Sequence, residues 1–382
     1  MLKTLLVLGV LTSPLYVLPN GSVQIYHALL ALMSLWAFFQ TGGLKAQPVV
    51  FSAIAFWAYV IMRQSLFIMA NAEASLATLL YPTLNLVVFL GVYMVLTEVL
   101  TPRGISSLLT AIAAVLVFET GYIFIENGSL TFFMHSNVRS IGTFNNPNQL
   151  GYFAVLMGCA YVAIATVTKS SRWLTVLFVS LAYLLAIISL SKAAMLAISP
   201  LLLLSLFIWG REMRSPLLQT VVFAMALVLV LLVIVFAYSQ FDGLLGADNE
   251  VLRRLALIGQ DSDDTLTARG YALILRPDAR IIFGYGEGYY GMKFGNEVHS
   301  TLANVLTSFG IVGFALFSAM ILYVVRFRVF SLHFALVSLA FAYGLTHNGL
   351  RNTLFWIFLA VIAWSVTQVR PVQSKQQVRV RA

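Results

Sequence analysis

Charged side chains are scarce in this sequence. Of its 382 residues, 10% are Asp, Glu, Lys or Arg, whereas 60% are hydrophobic. A soluble globular domain carries about 25% charged residues, so this chain has too few polar groups to cover a surface that faces water. The scarcity of charge excludes an ordinary soluble enzyme and indicates a protein of the lipid bilayer.

Cysteine and several familiar catalytic signatures are also missing. Cys159 is the single cysteine, which excludes an intrachain disulfide and a cysteine metal site. The sequence contains no G-x-S-x-G, H-E-x-x-H or P-loop motif, and no internal repeat of the kind that many transporters have. The net charge of +9 is spread over loops rather than gathered in one patch, so it does not predict binding of nucleic acid.

Long apolar runs take up most of the chain. A helix needs about 20 apolar residues to cross a bilayer, and only helices or closed barrels satisfy their backbone polar groups there. The runs are continuous rather than alternating, which predicts an all-α, polytopic integral membrane protein with a single transmembrane domain, residues 1–382. We predict an interfacial helix at 66–80 and about twelve spans: 2–18, 22–40, 49–62, 79–97, 106–124, 149–167, 173–190, 193–209, 217–238, 302–325, 329–344 and 354–369.

Basic residues indicate the orientation, because cytoplasmic loops carry an excess of Lys and Arg. With the N-terminus in the cytoplasm, thirteen basic residues fall on short cytoplasmic segments: Lys3, Lys45, Arg103, Lys169, Arg172, Arg211, Arg214, Arg326, Arg328, Arg370, Lys375, Arg379 and Arg381. Four fall on short outer loops: Arg63, Arg139, Lys192 and Arg351. The bias predicts an even number of spans, both termini in the cytoplasm and a basic cytoplasmic tail, 370–382.

Two segments on the outer side are long, residues 125–148 and 239–298. The second contains nine of the fourteen acidic residues, and a loop of about 60 residues exceeds ordinary connections and points to function. Within this large periplasmic loop we predict short helices at 249–258 and 265–275. The glycine-rich stretch 284–291 predicts a tight turn in which the backbone closely approaches another segment.

Isolated basic residues and one histidine on the outer side are the candidates for chemistry. A charge near the bilayer is costly and usually functional, although Arg139, Lys192 and Arg351 also suit snorkelling to lipid headgroups. Arg139 precedes an Asn-Asn-Pro-Asn turn, residues 145–148, that predicts the start of the sixth span. His299 lies where the charged loop enters the tenth span, and a lone histidine in that place is also compatible with a structural role.

Several of these residues form an ordered set that resembles the bacterial O-antigen ligase and O-antigen polymerase superfamily. The similar segments, in chain order, are Arg139-x-x-Gly142-x-x-x-Asn146-Pro-Asn148-x-x-Gly151, Ser191-Lys192, Arg269 followed by Gly284-Tyr-Gly286-x-Gly288, and His299 followed by Leu302 and Phe309-Gly310-Ile-Val-Gly313. The family usually has arginine at the position of Lys192 and often asparagine at that of Ser300. Lysine keeps the charge at that position but loses the bidentate fork.

The resemblance implies a metal-independent, inverting glycosyltransferase with an all-helical membrane fold of the GT-C type and no cofactor. The donor would be a glycan on undecaprenyl diphosphate in the bacterial inner membrane, and the active site would face the periplasm. The acceptor would be another lipid-linked repeat unit for a polymerase, or a lipid A–core sugar for a ligase. The departures at Lys192 and Ser300 favour the polymerase. Polysaccharide-assembly proteins are candidate partners.

The resemblance and the charges together give each candidate a role. We expect His299 to accept the proton of the acceptor hydroxyl and Arg269 to stabilise charge on the leaving diphosphate. The residues expected to bind the diphosphate or the sugars are Arg139, Lys192, Arg276, Arg280, Asn148 and Arg351. The alternatives are a transporter or flippase, with Glu119 and the intramembrane histidines as its ionisable groups, and a non-catalytic scaffold. Three tyrosines are expected either to stack on sugars or to anchor at the interface: Tyr285, Tyr289 and Tyr290.

Overall fold

The structure is a computed structural model that describes residues 1–19, 22–71, 74–130, 139–211, 265–267, 269–275 and 277–368. All helices, contacts and sites below lie within these ranges. Four predicted features fall outside them: the ninth span 217–238, the loop helix 249–258, Arg276 and the basic tail 370–382.

Helices account for all the regular structure in the described part of the chain, which contains no strand. The α-helices are α1 Leu2–Leu11, α2 Ile25–Gln40, α3 Pro48–Ala70, α4 Ala77–Met94, α5 Pro102–Asn127, α6 Pro147–Thr168, α7 Arg172–Ile188, α8 Lys192–Arg211, α9 Ala272–Leu275, α10 Tyr289–Phe294, α11 Thr301–Val324, α12 Leu332–Gly344 and α13 Thr353–Gln368. A π-helical turn, Val95–Val99, continues α4, and a 3₁₀ turn, Ala279–Ile282, lies between α9 and α10. The predicted all-α class is confirmed for these residues.

Five of the described helices are long and apolar enough to cross a membrane: Pro48–Ala70, Thr78–Val99, Pro102–Asn127, Pro147–Thr168 and Thr301–Val324. Six further apolar helices contain 10–17 residues, which is shorter than the length that crosses the hydrocarbon core without tilt or thinning. The presence of transmembrane helices is therefore supported by length and composition. The number twelve, the orientation and the GT-C type stay predictions.

Helix α3 extends beyond the third predicted span, which was placed at 49–62. Helix α3 includes the polar pair Arg63 and Gln64 and continues to Ala70. Both side chains bind the backbone of a distant loop, as described below, so their polar groups are satisfied inside the helix. The interfacial helix predicted at 66–80 is therefore wrong, since its first residues belong to α3 and its last to α4.

The loop helix predicted at 265–275 is reduced to the single turn of α9, Ala272–Leu275. Gly270 has φ 94°, a left-handed conformation that a helix cannot include. A Cβ at this position would meet the side chain of Val298. The backbone therefore turns at Gly270, and the segment that follows, Tyr271 and α9, packs against the start of α11.

Helices α6 and α13 form the centre of the bundle. Helix α6 packs against α5, α7, α8, α12 and α13, and its residues from Leu150 to Ala165 are all buried. Helix α13 is buried from Thr353 to Val366. Aromatic rings join it to α3, where the ring of Trp57 lies 4.7 Å from that of Trp356.

The outer faces of the surrounding helices carry large apolar side chains. Trp36 and Phe39 on α2, Phe51 on α3, and Phe118 and Ile125 on α5 are exposed. Soluble monomers rarely expose contiguous apolar surface of this kind. The pattern indicates a bundle that faces hydrocarbon, in agreement with the low charge of the sequence.

Candidate active site

The glycine turn, residues 284–291, binds to α11 at a kink in that helix. Gly310 has φ 71° and ψ −169°, which interrupts the helix and releases carbonyl groups of the preceding turn from their helical partners. The Thr307 carbonyl accepts a hydrogen bond of 2.8 Å from the N–H of Tyr285, and the Ser308 carbonyl accepts one of 2.9 Å from the N–H of Gly286. The loop thus completes the hydrogen bonding of a membrane helix.

Side chains of α3 hold the same turn from the other side. The guanidinium of Arg63 donates two hydrogen bonds to the carbonyl of Gly284, at 3.1 and 2.6 Å. The buried amide of Gln64 accepts from the N–H of Glu287 at 2.7 Å and donates to its carbonyl at 3.0 Å. A Cβ at Gly284 would overlap the backbone of α11, so the close backbone approach predicted for this turn is confirmed.

The segment that carries Arg269 docks on the end of α12. Arg269 Nη1 donates to the carbonyl of Thr346 at 2.9 Å. The hydroxyl of Tyr271 lies 2.8 Å from that of Ser300 and donates to the carbonyl of Leu345 at 3.0 Å. These contacts fix the guanidinium of Arg269 beside the loop between α12 and α13.

His299 is exposed immediately before α11. Its neighbour Ser300 caps the helix, because the Ser300 hydroxyl accepts from the N–H of Ala303 at 3.2 Å. The next residue, Thr301, donates to the carbonyl of His347 from its N–H at 3.1 Å and from its hydroxyl at 2.9 Å. The backbone that carries His299 is therefore tied to the loop that contains His347.

Arg139 lies between the first turn of α6 and the α7–α8 junction. Its Nη2 donates to the side-chain oxygen of Asn148 at 2.8 Å, and its Nε donates to the carbonyl of Ser189 at 3.0 Å. The carbonyl of Asn148 in turn accepts from the hydroxyl of Tyr343 at 2.7 Å. Helix α6 begins at Pro147 with an asparagine cap, as the turn at 145–148 predicts.

A buried carboxyl group anchors the loop between Arg139 and α6. Glu119 of α5 is fully buried and interacts with both the backbone N–H and the hydroxyl of Thr143. The Thr143 hydroxyl also lies 2.7 Å from the carbonyl of Pro14. Gly142 has φ 56°, and a Cβ there would overlap the carboxyl of Glu119. The loop is thereby fixed to α5 and to the segment after α1.

The positively charged candidates converge on His347. Burial, followed by the charges of Arg269, His299 and Arg139, lowers the pKa of His347 to about 3. The hydrogen bonds agree with this arrangement. Arg269 donates to the carbonyl of Thr346, next to His347, and Thr301, two residues after His299, donates to the carbonyl of His347. Asn148, the partner of Arg139, accepts from the hydroxyl of Tyr343, whose ring stacks on the imidazole. The structure thus brings Arg139, Arg269 and His299 together from three separate segments, at the end of the bundle where α6, α8, α11 and α13 begin.

Lys192 is the first residue of α8, beside this cluster. It is half-buried, and it lies three residues after Ser189, whose carbonyl accepts from Arg139. Leu190, between them, has φ 50°, an uncommon conformation for a non-glycine residue. The junction is therefore bent sharply, which places the start of α8 close to the guanidinium of Arg139.

Arg280 contacts residues that lie close to it in the sequence, within the same loop. It forms an exposed ion pair of 2.7 Å with Asp278, and its guanidinium lies 5.0 Å from the ring centre of Tyr285 and 5.5 Å from that of Tyr289. The hydrogen bonds from Arg280 hold the pKa of the Asp278 carboxyl at about 2. Tyr285 is buried together with Tyr290, so neither ring offers a free face to a sugar.

Arg351 pairs with two carboxylates. Its Nε lies 2.6 Å from the buried carboxyl of Glu287, and its Nη1 lies 2.9 Å from the exposed carboxyl of Glu297. Glu287 belongs to the glycine turn, and Glu297 lies two residues before His299. Arg351 therefore links the turn to the entrance of α11, and its predicted contact with diphosphate stays a prediction.

His347 is the residue that sequence reasoning did not select. Its signal in the sequence was its place on the predicted outer side, between two apolar runs and four residues before Arg351. Within the described ranges, no group of three or more His, Cys, Asp or Glu side chains is placed to hold a metal ion. The cluster instead combines two arginines, Arg139 and Arg269, with two histidines, His299 and His347, and metal independence stays a prediction.

Comparison with known proteins adds no further identification. The chain matches no protein-family model, and no curated protein matches it. In the described part of the chain, sequence and structure together define a helical bundle with helices long and apolar enough to cross a membrane, and with Arg139, Arg269, His299 and His347 at one end. Its activity is inferred below from the residues of that cluster and from the resemblance in motif order.

Proposed function

We propose that this protein is a metal-independent, inverting glycosyltransferase of a bacterial inner membrane that acts at the periplasmic face. Its donor is a glycan on undecaprenyl diphosphate, and its product belongs to a surface polysaccharide such as O-antigen or exopolysaccharide. The observation that supports the proposal is the convergence of Arg139, Arg269 and His299 at one end of an apolar bundle. A lipid-linked donor is complementary to this arrangement, because it has an apolar tail, an anionic diphosphate and polar sugars.

The arginines supply the cationic part of the site. Guanidinium groups form bidentate, charge-assisted hydrogen bonds with phosphate oxygens, and Arg139 and Arg269 are both held in place by backbone carbonyls. Donors fixed in this way stabilise negative charge that develops on a leaving group. In the proposed reaction Arg269 stabilises the departing diphosphate, and Arg139, Lys192 and Asn148 contact the donor headgroup.

His299 supplies the base. The oxygen of an acceptor hydroxyl forms a bond to the anomeric carbon while the bond from that carbon to the diphosphate oxygen breaks. The hydroxyl proton passes to the imidazole of His299 and then to solvent, and the electron pair leaves with undecaprenyl diphosphate. A single displacement inverts the anomeric configuration. An exposed imidazole next to a helix start is accessible to such a hydroxyl.

The two forms of the reaction differ in the acceptor. A polymerase joins lipid-linked repeat units to each other, whereas a ligase transfers a finished chain to lipid A–core. We favour the polymerase because Lys192 and Ser300 depart from the resembled motifs. Product length separates the two, since a polymerase yields a ladder of repeat units on the lipid carrier.

The test uses purified protein in liposomes with the undecaprenyl-diphosphate-linked glycan of its source strain. We expect wild-type protein to produce a ladder, and His299→Ala and Arg269→Ala to lose it at unchanged protein level. Arg103→Ala, at the start of α5 on the opposite side of the bundle, is the matched control and should retain activity. Full activity of both site variants would overturn the assignment of the site.

Two other outcomes separate the proposal from its rivals. Transfer to added lipid A–core without a ladder identifies the ligase. Counterflow of the lipid-linked glycan across the liposome, without any new glycosidic bond, identifies the transporter and rejects the transferase.

A further inference from the structure

The hydrogen bonds around His347 favour one tautomer of its imidazole. Its Nδ1 lies 2.9 Å from the hydroxyl of Thr346, and that hydroxyl donates to the carbonyl of Tyr343 at 3.3 Å. A hydroxyl has one proton to donate, so both contacts are satisfied when Nδ1 carries the ring proton. The other nitrogen, Nε2, then presents a lone pair.

The ring is also fixed in orientation. It stacks on the ring of Tyr343 with centroids 4.4 Å apart and planes 20° apart. The backbone at His347 and after it is tied to Thr301, which donates twice to the carbonyl of His347 and accepts from the N–H of Gly349 at 2.7 Å. Nε2 is therefore a preorganised group rather than a mobile one.

The surroundings determine which ligand atom suits this nitrogen. Burial, followed by the nearby charges of Arg269 and Arg139, lowers the pKa of His347, and the imidazole is therefore neutral. A diphosphate oxygen accepts hydrogen bonds but has none to donate, so it complements the arginines and not Nε2. A sugar hydroxyl, in contrast, donates a proton to such a lone pair.

We propose that Nε2 of His347 accepts a hydrogen bond from a hydroxyl group of the acceptor saccharide, beside the arginines that bind the diphosphate. This inference rests on the proposed transferase function and deepens it. His299 is exposed at the entrance of the site, whereas His347 lies at its half-buried floor. The two imidazoles thus have different roles: His347 orients the acceptor sugar, and His299 accepts the proton of its attacking hydroxyl.

The test compares two variants, each of which keeps a polar group near one of the two ring nitrogens. His347→Asn keeps a donor near the Nδ1 position and loses the group at Nε2, whereas His347→Gln places an amide near Nε2. The donor is the undecaprenyl-diphosphate-linked repeat unit. The acceptor is the same oligosaccharide released from its diphosphate, which cannot act as a donor. His333→Asn, on α12, is the control.

We expect His347→Asn to raise the KM for the acceptor about tenfold, the loss of one hydrogen bond, and to leave the KM for the donor within about twofold. His347→Gln should lie closer to wild type. A rise in donor KM alone would assign the hydroxyl to the donor glycan and overturn the proposal. An unchanged acceptor KM in His347→Asn would also overturn it.

Two controls keep the outcome decisive. If His347→Asn does not fold, Thr346→Val removes the hydroxyl that fixes the tautomer and should raise the acceptor KM selectively; no change in that variant rejects the proposal. If wild-type protein transfers no glycan at all, the proposed function itself fails, which is distinct from an active enzyme that is insensitive to changes at His347.

Discussion

Arg139 donates a hydrogen bond of 2.8 Å from Nη2 to the side-chain oxygen of Asn148, on the first turn of α6. Its Nε is directed elsewhere, to the carbonyl of Ser189 at the α7–α8 junction. One planar guanidinium therefore holds together the segments of Asn148 and Ser189, which lie 9 and 50 residues from Arg139 in the sequence. Its fork geometry, and not only its charge, determines the position of these segments.

Replacement of Arg139 by lysine tests that geometry. Lysine keeps the positive charge but does not reproduce the planar fork, so the two protein contacts and a substrate contact cannot all be kept. A hydrogen bond to a charged group contributes about 1.5–3 kcal/mol, so we expect the loss of one such bond to lower kcat/KM about 10- to 100-fold. Steady-state transfer assays check this. Arg103→Lys serves as the control, and equal activity of Arg139→Lys and wild type would contradict it.

Replacement of Gly310 by alanine tests the kink of α11. The φ of 71° and ψ of −169° at Gly310 are essentially restricted to glycine and cost a residue with a Cβ about 1–3 kcal/mol. The Cβ would also overlap the backbone near Gly284, which adds about 1–3 kcal/mol. We expect a clear fall in melting temperature in detergent. Gly43 also has a positive φ, but no heavy atom lies within 4 Å of a Cβ there. Gly43→Ala should therefore lower the melting temperature much less than Gly310→Ala. An equal fall in both variants would refute the close approach of the two backbones.

Arg351 is expected to act on stability through Glu287. Removal of Arg351 leaves the Glu287 carboxyl buried without its charged partner, at a cost of about 1–3 kcal/mol once the partial exposure of Arg351 is considered. The double variant Arg351→Met with Glu287→Gln removes both charges and should recover most of that loss. A thermal double-mutant cycle measures the coupling. Additive effects of the two single changes would show that the pair is not coupled.

Stability should depend on pH through His347. Its pKa is lowered to about 3 in the folded protein, whereas an ordinary histidine titrates near 6.5. The unfolded chain therefore binds a proton first as the pH falls, so stability decreases from about pH 6.5 towards pH 3, by at most about 1.4 kcal/mol per pH unit. We expect the melting temperature of wild type to fall more between pH 7.5 and 5 than that of His347→Asn. Parallel profiles would contradict the expectation.

Local signals in the sequence were sufficient for much of the fold. The asparagine cap and Pro147 predict the start of α6, because capping depends on neighbours in the chain. The glycine turn at 284–291 is likewise a local feature. Gln64 shows the limit of local signals. The third span was predicted to end at residue 62, whereas α3 continues to Ala70, and the amide of Gln64 within it binds the backbone of Glu287, 223 residues away.

The site was predictable in part for the same reason. The sequence identified Arg139, Arg269 and His299 as separate candidates, and the structure places them at the same end of the bundle, near the loop that contains His347. Arg351 and Arg280 are charged as well, yet they pair with carboxylates that their sequence positions did not indicate. His347 was not selected, because its importance comes from Thr301, Thr346 and Tyr343, which only the folded chain places around it.

The anchoring of Thr143 by Glu119 has a consequence for how mutants of this protein are interpreted. A carboxyl group buried in a membrane helix usually marks an ion or proton pathway. Here the same carboxyl holds the loop that positions Arg139, and its contacts are to a hydroxyl and a backbone N–H of that loop. A Glu119 variant that loses function would therefore resemble one with a broken proton relay, although the cause would be a displaced Arg139 guanidinium. Such a result would not be evidence that the protein translocates protons or ions.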